Sequence, residues 1–404
     1  MSDWIELERR YYMQVARRQP IVIVRGEGTR VWDEAGKEYL DFTAGWAVNS
    51  LGHCHPVVVK ALEDQARILV QTSNQFYSVP QLRLAQLLIE NSCLDRVFFG
   101  NSGAEANEGA VKLARKYGRV HRNGGYQVIT ALDSFHGRTL AMTAATGQPS
   151  YQEQWRPLAP GFVNVPYDDI DAIKQATNQE TCAVMLEPVQ GEGGVNVPSP
   201  SYMRQVREWC DENDLVMILD EVQTGVGRLG TLFGYQQFGV EPDAITLAKG
   251  LGGGVPIGAF LAKEKFCLLA PGDHGTTFGG NALTCSAAFA TVDYVMRNDL
   301  LSHVQAMGQR LREGLEALKY RHSIINSVRG MGLLLAIQFN AEISAQLVSL
   351  CNEQGLLLNP VRPNAIRFMP PLTITSDEVD LGLERLEKAL SQAAVGQAAS
   401  SQRG

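Results

Sequence analysis

The chain has 404 residues, 45% of them hydrophobic and 20% charged, a composition that excludes a disordered, collagen-like or fibrous protein. Its 36 Lys+Arg against 43 Asp+Glu give a net charge of −7 spread along the sequence, which argues for small molecules or proteins as partners, with no nucleic acid and no membrane. Seven widely spaced cysteines without a Cys-x-x-Cys pair indicate neither a disulfide framework nor a thiolate zinc site, and neither an export signal nor a spanning segment is legible, so a cytoplasmic protein is expected.

In chain order, the first sixty residues read as a short helix, then two β-like runs, Ile21-Val22-Ile23-Val24 and Thr29-Arg30-Val31-Trp32-Asp33. A turn over 33–37 follows, and Tyr39–Phe42 resumes the extended pattern. From about residue 56 to 300, apolar strand-like runs alternate with helical stretches: Val97–Phe99, Gln127–Thr130, Ala183–Leu186, Val216–Leu219 and Ala244–Leu247. Near-continuous apolar runs suit strands buried on both faces, hence an α/β domain with a mostly parallel sheet sandwiched by helices. After residue 300 come a long amphipathic helix to Tyr320, an extended run Gly332–Ile337, a second helix and a short strand at Ile366–Phe368, the pattern of a smaller α+β domain over 301–392. Residues 393–404, rich in Ala, Ser, Gln and Gly, are expected to be a disordered tail.

Three strand ends carry chemistry. Gly100-Asn101-Ser102-Gly103-Ala104-Glu105 follows a strand and opens a helix, so its backbone N–H groups and helix dipole suit a phosphate; an ordinary capped turn is the alternative. Asp220 ends the apolar run Val216–Leu219, where a carboxylate either faces a ligand or bonds a neighbouring loop. Lys249 stands between the run Ala244–Leu247 and the glycines 250 and 252–254, a setting that desolvates an amine and favours its nucleophilic form, unless the side chain snorkels out to water. Phosphate cradle, carboxylate and buried lysine are together the parts that a pyridoxal 5'-phosphate site needs. No Walker A or Gly-x-Gly-x-x-Gly motif competes with that reading.

The segments Ser102–Glu108, Phe135–Thr139, Glu187–Gly194, Leu219–Gly230, Leu247–Ala259 and His274–Asn281, in unbroken order over nearly the whole chain, resemble the class III, or ω-amino-acid, aminotransferases. The resemblance implies a fold-type-I pyridoxal-phosphate transferase working as a homodimer, with a large domain over 56–300 and a smaller one assembled from 1–55 and 301–392. It implies that Lys249 binds the cofactor aldehyde, that Asp220 pairs with the pyridinium nitrogen, and that Gln223 lies beside the phenolic oxygen. Ser102, Gly103 and Ala104 would hold the phosphate, Phe135 would stack on the ring, and Thr277 would reach the partner's phosphate. Arg367 would clamp the α-carboxylate of glutamate or 2-oxoglutarate and Arg138 the distal one, with Thr276 also at the substrate. Glu192 matches the carboxylate that neutralises Arg367 when an ω-amine donor binds.

The implied reaction is transfer of the δ-amino group of N-acetylornithine to 2-oxoglutarate, giving the N-acetylglutamate semialdehyde and glutamate. Ornithine enzymes of this class carry a tyrosine just before an Ala-Val-Asn stretch to receive a free α-amine; Gly45 and Trp46 stand here, which favours an acylated donor. Succinylornithine, an acylated lysine precursor, ornithine and 4-aminobutyrate are the alternatives within the class. A different reading takes His53-Cys54-His55 as the opening of a metal-dependent hydrolase site, for which the remaining histidines offer few further ligands.

Overall fold

The computed structural model describes residues 3–401, with side chains as far as residue 393. A seven-stranded sheet forms its centre, in the spatial order Arg96–Gly100, Gly258–Ala262, Ala244–Leu247, Val216–Asp220, Thr181–Leu186, Gln127–Ala131, Phe162–Val165. Gly258–Ala262 runs antiparallel to both its neighbours, and the other pairings are parallel. The five apolar runs read from the sequence all lie in this sheet. Thr181–Leu186, Val216–Asp220 and Ala244–Leu247 are buried at every position, because helices cover both faces.

Two smaller sheets flank it. Ile325–Met331, Leu334–Phe339, Ala365–Phe368 and Asn359–Arg362 form an antiparallel sheet near the C-terminus. Ile23–Glu27, Arg30–Asp33 and Glu38–Asp41 form another, completed by Leu356–Leu357 running parallel to Glu38–Asp41, so the two ends of the chain share a sheet. The long helix expected from residue 300 spans Leu300–Arg321. The tail departs from expectation: Ser376–Ser401 is one helix, since its Ala- and Gln-rich end has high helix propensity, and 402–404 lie outside the described residues. No described helix is long and apolar enough to cross a membrane.

The helix Gly103–His121 connects fold and site. Its buried stripe, Ala106, Ala110, Leu113, Ala114 and Tyr117, lies on the sheet, and small residues bring it close. A Cβ at Gly118 would collide with the carbonyl oxygen of Gly125 and come within 2.6 Å of the Cβ of Cys182. Gly118→Ala should therefore destabilise the fold by about 1–3 kcal/mol through overpacking, read as a lower thermal midpoint.

Candidate active site

The carboxyl ends of the parallel strands open on a cavity of about 430 Å³, where ligands of α/β sheets bind. Asp220, 3% exposed, ends its strand there. Its Oδ2 accepts from His136 Nδ1 at 2.7 Å and from Asn107 Nδ2 at 2.8 Å, and its Oδ1 accepts the Val222 N–H at 3.0 Å. Asn107 is fixed in turn, donating to the His136 carbonyl at 2.7 Å and accepting the Thr246 hydroxyl at 2.6 Å. Three donors leave a carboxylate, with its roughly four acceptor positions, one to offer the cavity. Burial opposes a charge on His136, but the hydrogen bond and charge of Asp220 outweigh it and raise its pKa.

Lys249 follows the strand Ala244–Leu247 with a left-handed backbone, φ 39°, and lines the cavity. Burial is the largest influence on its amine and lowers its pKa; the neighbouring Arg367 acts in the same sense, against Glu192, Asp220 and Glu187. Glu187 accepts the N–H groups of Phe135 and Gly191, each at 3.1 Å, yet burial pushes its carboxyl up to about 7.

Ser102, also in the cavity lining, caps the helix Gly103–His121, its hydroxyl accepting the Glu105 N–H at 3.2 Å and its carbonyl the Ala106 N–H at 3.0 Å. The amides of Gly103 and Ala104, in the first turn, have no intrahelical acceptor, and both residues line the cavity. A Cβ on Gly103 would lie 2.9 Å from Val222 Cγ1, so only glycine keeps this turn against the cavity wall. A helix N-terminus, an amine and a carboxylate in the lining of one cavity suit pyridoxal phosphate: its phosphate would meet the amides, its ring nitrogen the free acceptor of Asp220 and its aldehyde Lys249.

Two guanidinium groups serve the same space. Arg367 is fully buried; its Nη1 pairs with Glu192 Oε1 at 2.8 Å and donates to Gln223 Oε1 at 3.0 Å, while Nη2 donates to Asn359 Oδ1 at 2.7 Å. Burial works to raise the Glu192 pKa, but the charges of Arg367 and Lys249 and hydrogen bonds from Arg367 and Gln223 hold it at about 2. Arg138 is exposed and lies over the Tyr151 ring, 4.0 Å from its centroid, and 5.3 Å from that of Phe135. Phe135 itself presents a half-buried ring to the cavity.

The cavity thus brings together Ser102, Gly103, Ala104, Phe135, Arg138, Glu192, Asp220, Gln223 and Lys249 in its lining, and Arg367 through its bonds to Glu192 and Gln223. Thr276 and Thr277 are not in that lining. Thr276 Oγ1 accepts from Asn101 Nδ2 at 3.2 Å, on the rim, and Thr277 is exposed with its carbonyl bonded to Gln71. His53 and His55 do not converge. His53 Nε2 bonds Asp41 at 2.8 Å and the His55 ring packs on Tyr294, centroids 4.6 Å apart. Among the described residues no three His, Cys, Asp or Glu side chains are grouped to hold a metal. Sequence reasoning assigned nothing to Asn107, His136, Glu187, Tyr151 or Asn359. The first three lie inside the quoted motifs, where a polar residue among small and apolar ones was the available signal.

Residues 11–390 match the family model described as Aminotransferase class-III. The chain is 50% identical over 389 residues to the acetylornithine aminotransferase of Caldanaerobacter subterraneus, covering 96% of this chain and 99% of that one. It is 47% identical to that of Methanocaldococcus jannaschii, covering 97% and 98%. Among solved structures, the ornithine aminotransferase of Toxoplasma gondii superposes with a TM-score of 0.94 at 35% identity, covering 98% and 96%. The N-acetylornithine aminotransferase of Stenotrophomonas maltophilia does so with 0.85 at 37%, covering 97% and 100%.

The Glu192 ion pair has a pH signature. A carboxyl whose folded pKa is depressed stabilises fully above its unfolded value and loses that contribution as pH falls towards the folded one. For Glu192 the window runs from about 4.5 down to about 2. Thermal midpoints across that range should fall less steeply with acid for Glu192→Gln than for the parent.

Proposed function

The chain belongs to the class-III aminotransferases, whose cofactor is pyridoxal phosphate, and on that premise we propose that it moves the δ-amino group of N-acetylornithine to 2-oxoglutarate. The observation that carries the substrate reading is the fully buried Arg367 neutralised by Glu192 on a cavity that also holds Lys249 and Arg138. Two guanidinium groups suit a dicarboxylate, glutamate or 2-oxoglutarate. With Glu192 in place the inner one is masked, which suits an amine donor that has no carboxylate beside its reacting carbon.

When bound, pyridoxal phosphate supplies an aldehyde that exchanges amines and a ring that accepts the electrons left as a substrate carbon loses its proton. The protein does the rest. Amides at Gly103 and Ala104, with Ser102, would hold the phosphate. Asp220, anchored by His136 and Asn107, would hold a proton on the ring nitrogen. Phe135 would cover the ring, and Gln223, which touches Arg367, would serve the phenolic oxygen. Lys249 Nζ, with its pKa lowered by burial, would bind the aldehyde at rest and, when released, would serve as the base for the proton of the donor's δ-carbon. Arg138 orients the outer carboxylate, supported by Tyr151.

An acylated donor is further supported at residue 45. Gly45 lies in a left-handed turn, φ 63°, with no side chain to meet a free α-amine. We read the protein as two domains, 56–300 and 1–55 with 301–392, joined as a homodimer. Ile68 (78% exposed), Phe76 (66%), Tyr77 (93%) and Phe278 (64%) leave apolar surface that a second copy would cover. The 68–77 segment is tied to the 276–279 loop through Gln71 and Asn74, and from that surface Thr277 would reach the partner's cofactor phosphate.

Two measurements test this. Lys249→Ala should lower turnover by about 10³-fold or more, as loss of a general acid–base group does, and should abolish the absorbance band specific to the lysine-bound cofactor. N-acetylornithine should exceed ornithine in kcat/KM by at least about tenfold, the discrimination available from one unpaired buried polar group; equal values overturn the substrate assignment.

A further inference from the structure

Glu192 stands in a loop whose backbone is unusually constrained. Val195, a buried β-branched residue, has φ 59°, a conformation that such residues rarely adopt and that needs surrounding structure to hold it. Gly194, at φ 118°, has room for a Cβ only 3.0 Å from Arg329 Nη2, and a Cβ on Gly193 would run into the Asp133 carbonyl. The holding groups come from the C-terminal sheet. Arg329 Nε donates to the Gly194 carbonyl at 2.7 Å and Arg362 Nε to the Gly193 carbonyl at 3.0 Å. Each arginine is itself braced, Arg329 by Gln338 Oε1 and Arg362 by Asp133. Neither lines the cavity.

We propose that Arg329 and Arg362 are positioning residues, a two-point clamp on the carbonyls of Gly193 and Gly194 that keeps Glu192 on Arg367 and so sets the balance between the amine donor and the dicarboxylate. This rests on the reading of Glu192 as the group that masks Arg367. A dicarboxylate must displace Glu192, and displacement moves a loop held at the two residues that follow it. The clamp therefore favours the masked state, the one that admits a donor without a neighbouring carboxylate. Loosening it makes Arg367 easier to reach.

The test is calorimetric titration of the holoenzyme with glutarate, a dicarboxylate that has no amine or keto group to react. Arg329→Gln and Arg362→Gln should each bind glutarate about three- to tenfold more tightly, the effect of losing one hydrogen bond on the masked state. Each should also lower kcat/KM for N-acetylornithine relative to that for glutamate. Arg329→Lys, which keeps the charge and one donor, should fall between parent and Arg329→Gln, and thermal midpoints confirm folding. Loss of positive charge alone would weaken an anion, so tightening runs against the trivial effect. Unchanged or weaker glutarate binding, with both half-reactions falling in parallel, overturns the clamp. Glu192→Gln separates the two readings. If it tightens glutarate and the arginine variants do not, only the clamp fails; if it does not tighten glutarate, the masking role fails and the clamp with it.

Discussion

A guanidinium shut away from water needs acceptors in place of its hydration, and an opposite charge beside it keeps it charged. Arg367 meets that condition with partners from three stretches of chain: Glu192 and Gln223 from loops after strands of the central sheet, and Asn359 from its own small sheet. The two sheets meet where Arg367 is served from both sides, next to the cavity that Glu192 and Gln223 line. Arg228 is held by carbonyl acceptors alone, with no opposite charge beside it among the described residues. It is 2% exposed, gives Nη1 to the carbonyls of Leu333 and Pro370, and is lowered by burial to about 9. Pro370 belongs to the segment that carries Arg367, and that segment also bonds the N-terminal stretch through Met369 to Phe42 and Leu372 to Ser50. Chain ends, central sheet and small sheet are locked together around one buried charge.

The same physics sorts the carboxylates. Burial is the largest influence on Glu187, Glu192 and Glu221, and in each it favours the neutral acid. Only Glu192 has Arg367 and Lys249 beside it, and it falls to about 2 while the other two rise to about 7. Its cationic neighbours therefore keep Glu192 charged at neutral pH, while burial shifts Glu187 towards its neutral form. Arg138 and Lys249, with Arg367 behind Glu192, gather at one cavity on a protein whose net charge is −7. No basic surface is needed.

How far the sequence discloses this depends on burial. Val216–Leu219 and Ala244–Leu247 are legible as strands because both faces are covered, and Asp220 and Lys249 are legible because each breaks an apolar run at its end. Gly258–Ala262 escapes notice: glycine and alanine carry little β-propensity, and the preceding glycines read as loop, although the strand pairs on both sides. Phe162–Val165 is an edge strand, short and only half-buried, with the same result. In the site, Arg367 is visible by resemblance, but Asn359 is not. It faces Arg367 only through the antiparallel register Asn359↔Arg367, which no local pattern encodes. His136 and Asn107 stand in plain motifs, yet their work on Asp220 exists only once a helix, a loop and a strand are packed together.

The histidine pair at 53 and 55 shows why spacing alone misleads. Ala44, Gly45, Trp46 and Ala47 form a left-handed turn with φ of 44°, 63°, 62° and 63°. For non-glycine residues that conformation costs about 1–2 kcal/mol each. Asp41 offsets the cost. Its Oδ1 accepts the Thr43 N–H at 2.8 Å, the Thr43 hydroxyl at 2.6 Å and the Ala44 N–H at 3.0 Å, and its Oδ2 takes His53. Hydrogen bonds to a charged group contribute about 1.5–3 kcal/mol each, enough to hold three strained residues. Burial alone would raise the Asp41 pKa, but these bonds lower it, so the carboxylate stays charged and the turn stays formed. The turn delivers Val48 to the cavity wall and leads into Ser50, whose carbonyl holds Leu372. His53 thus belongs to the device that shapes one wall of the site, and its chemistry is to anchor a carboxylate.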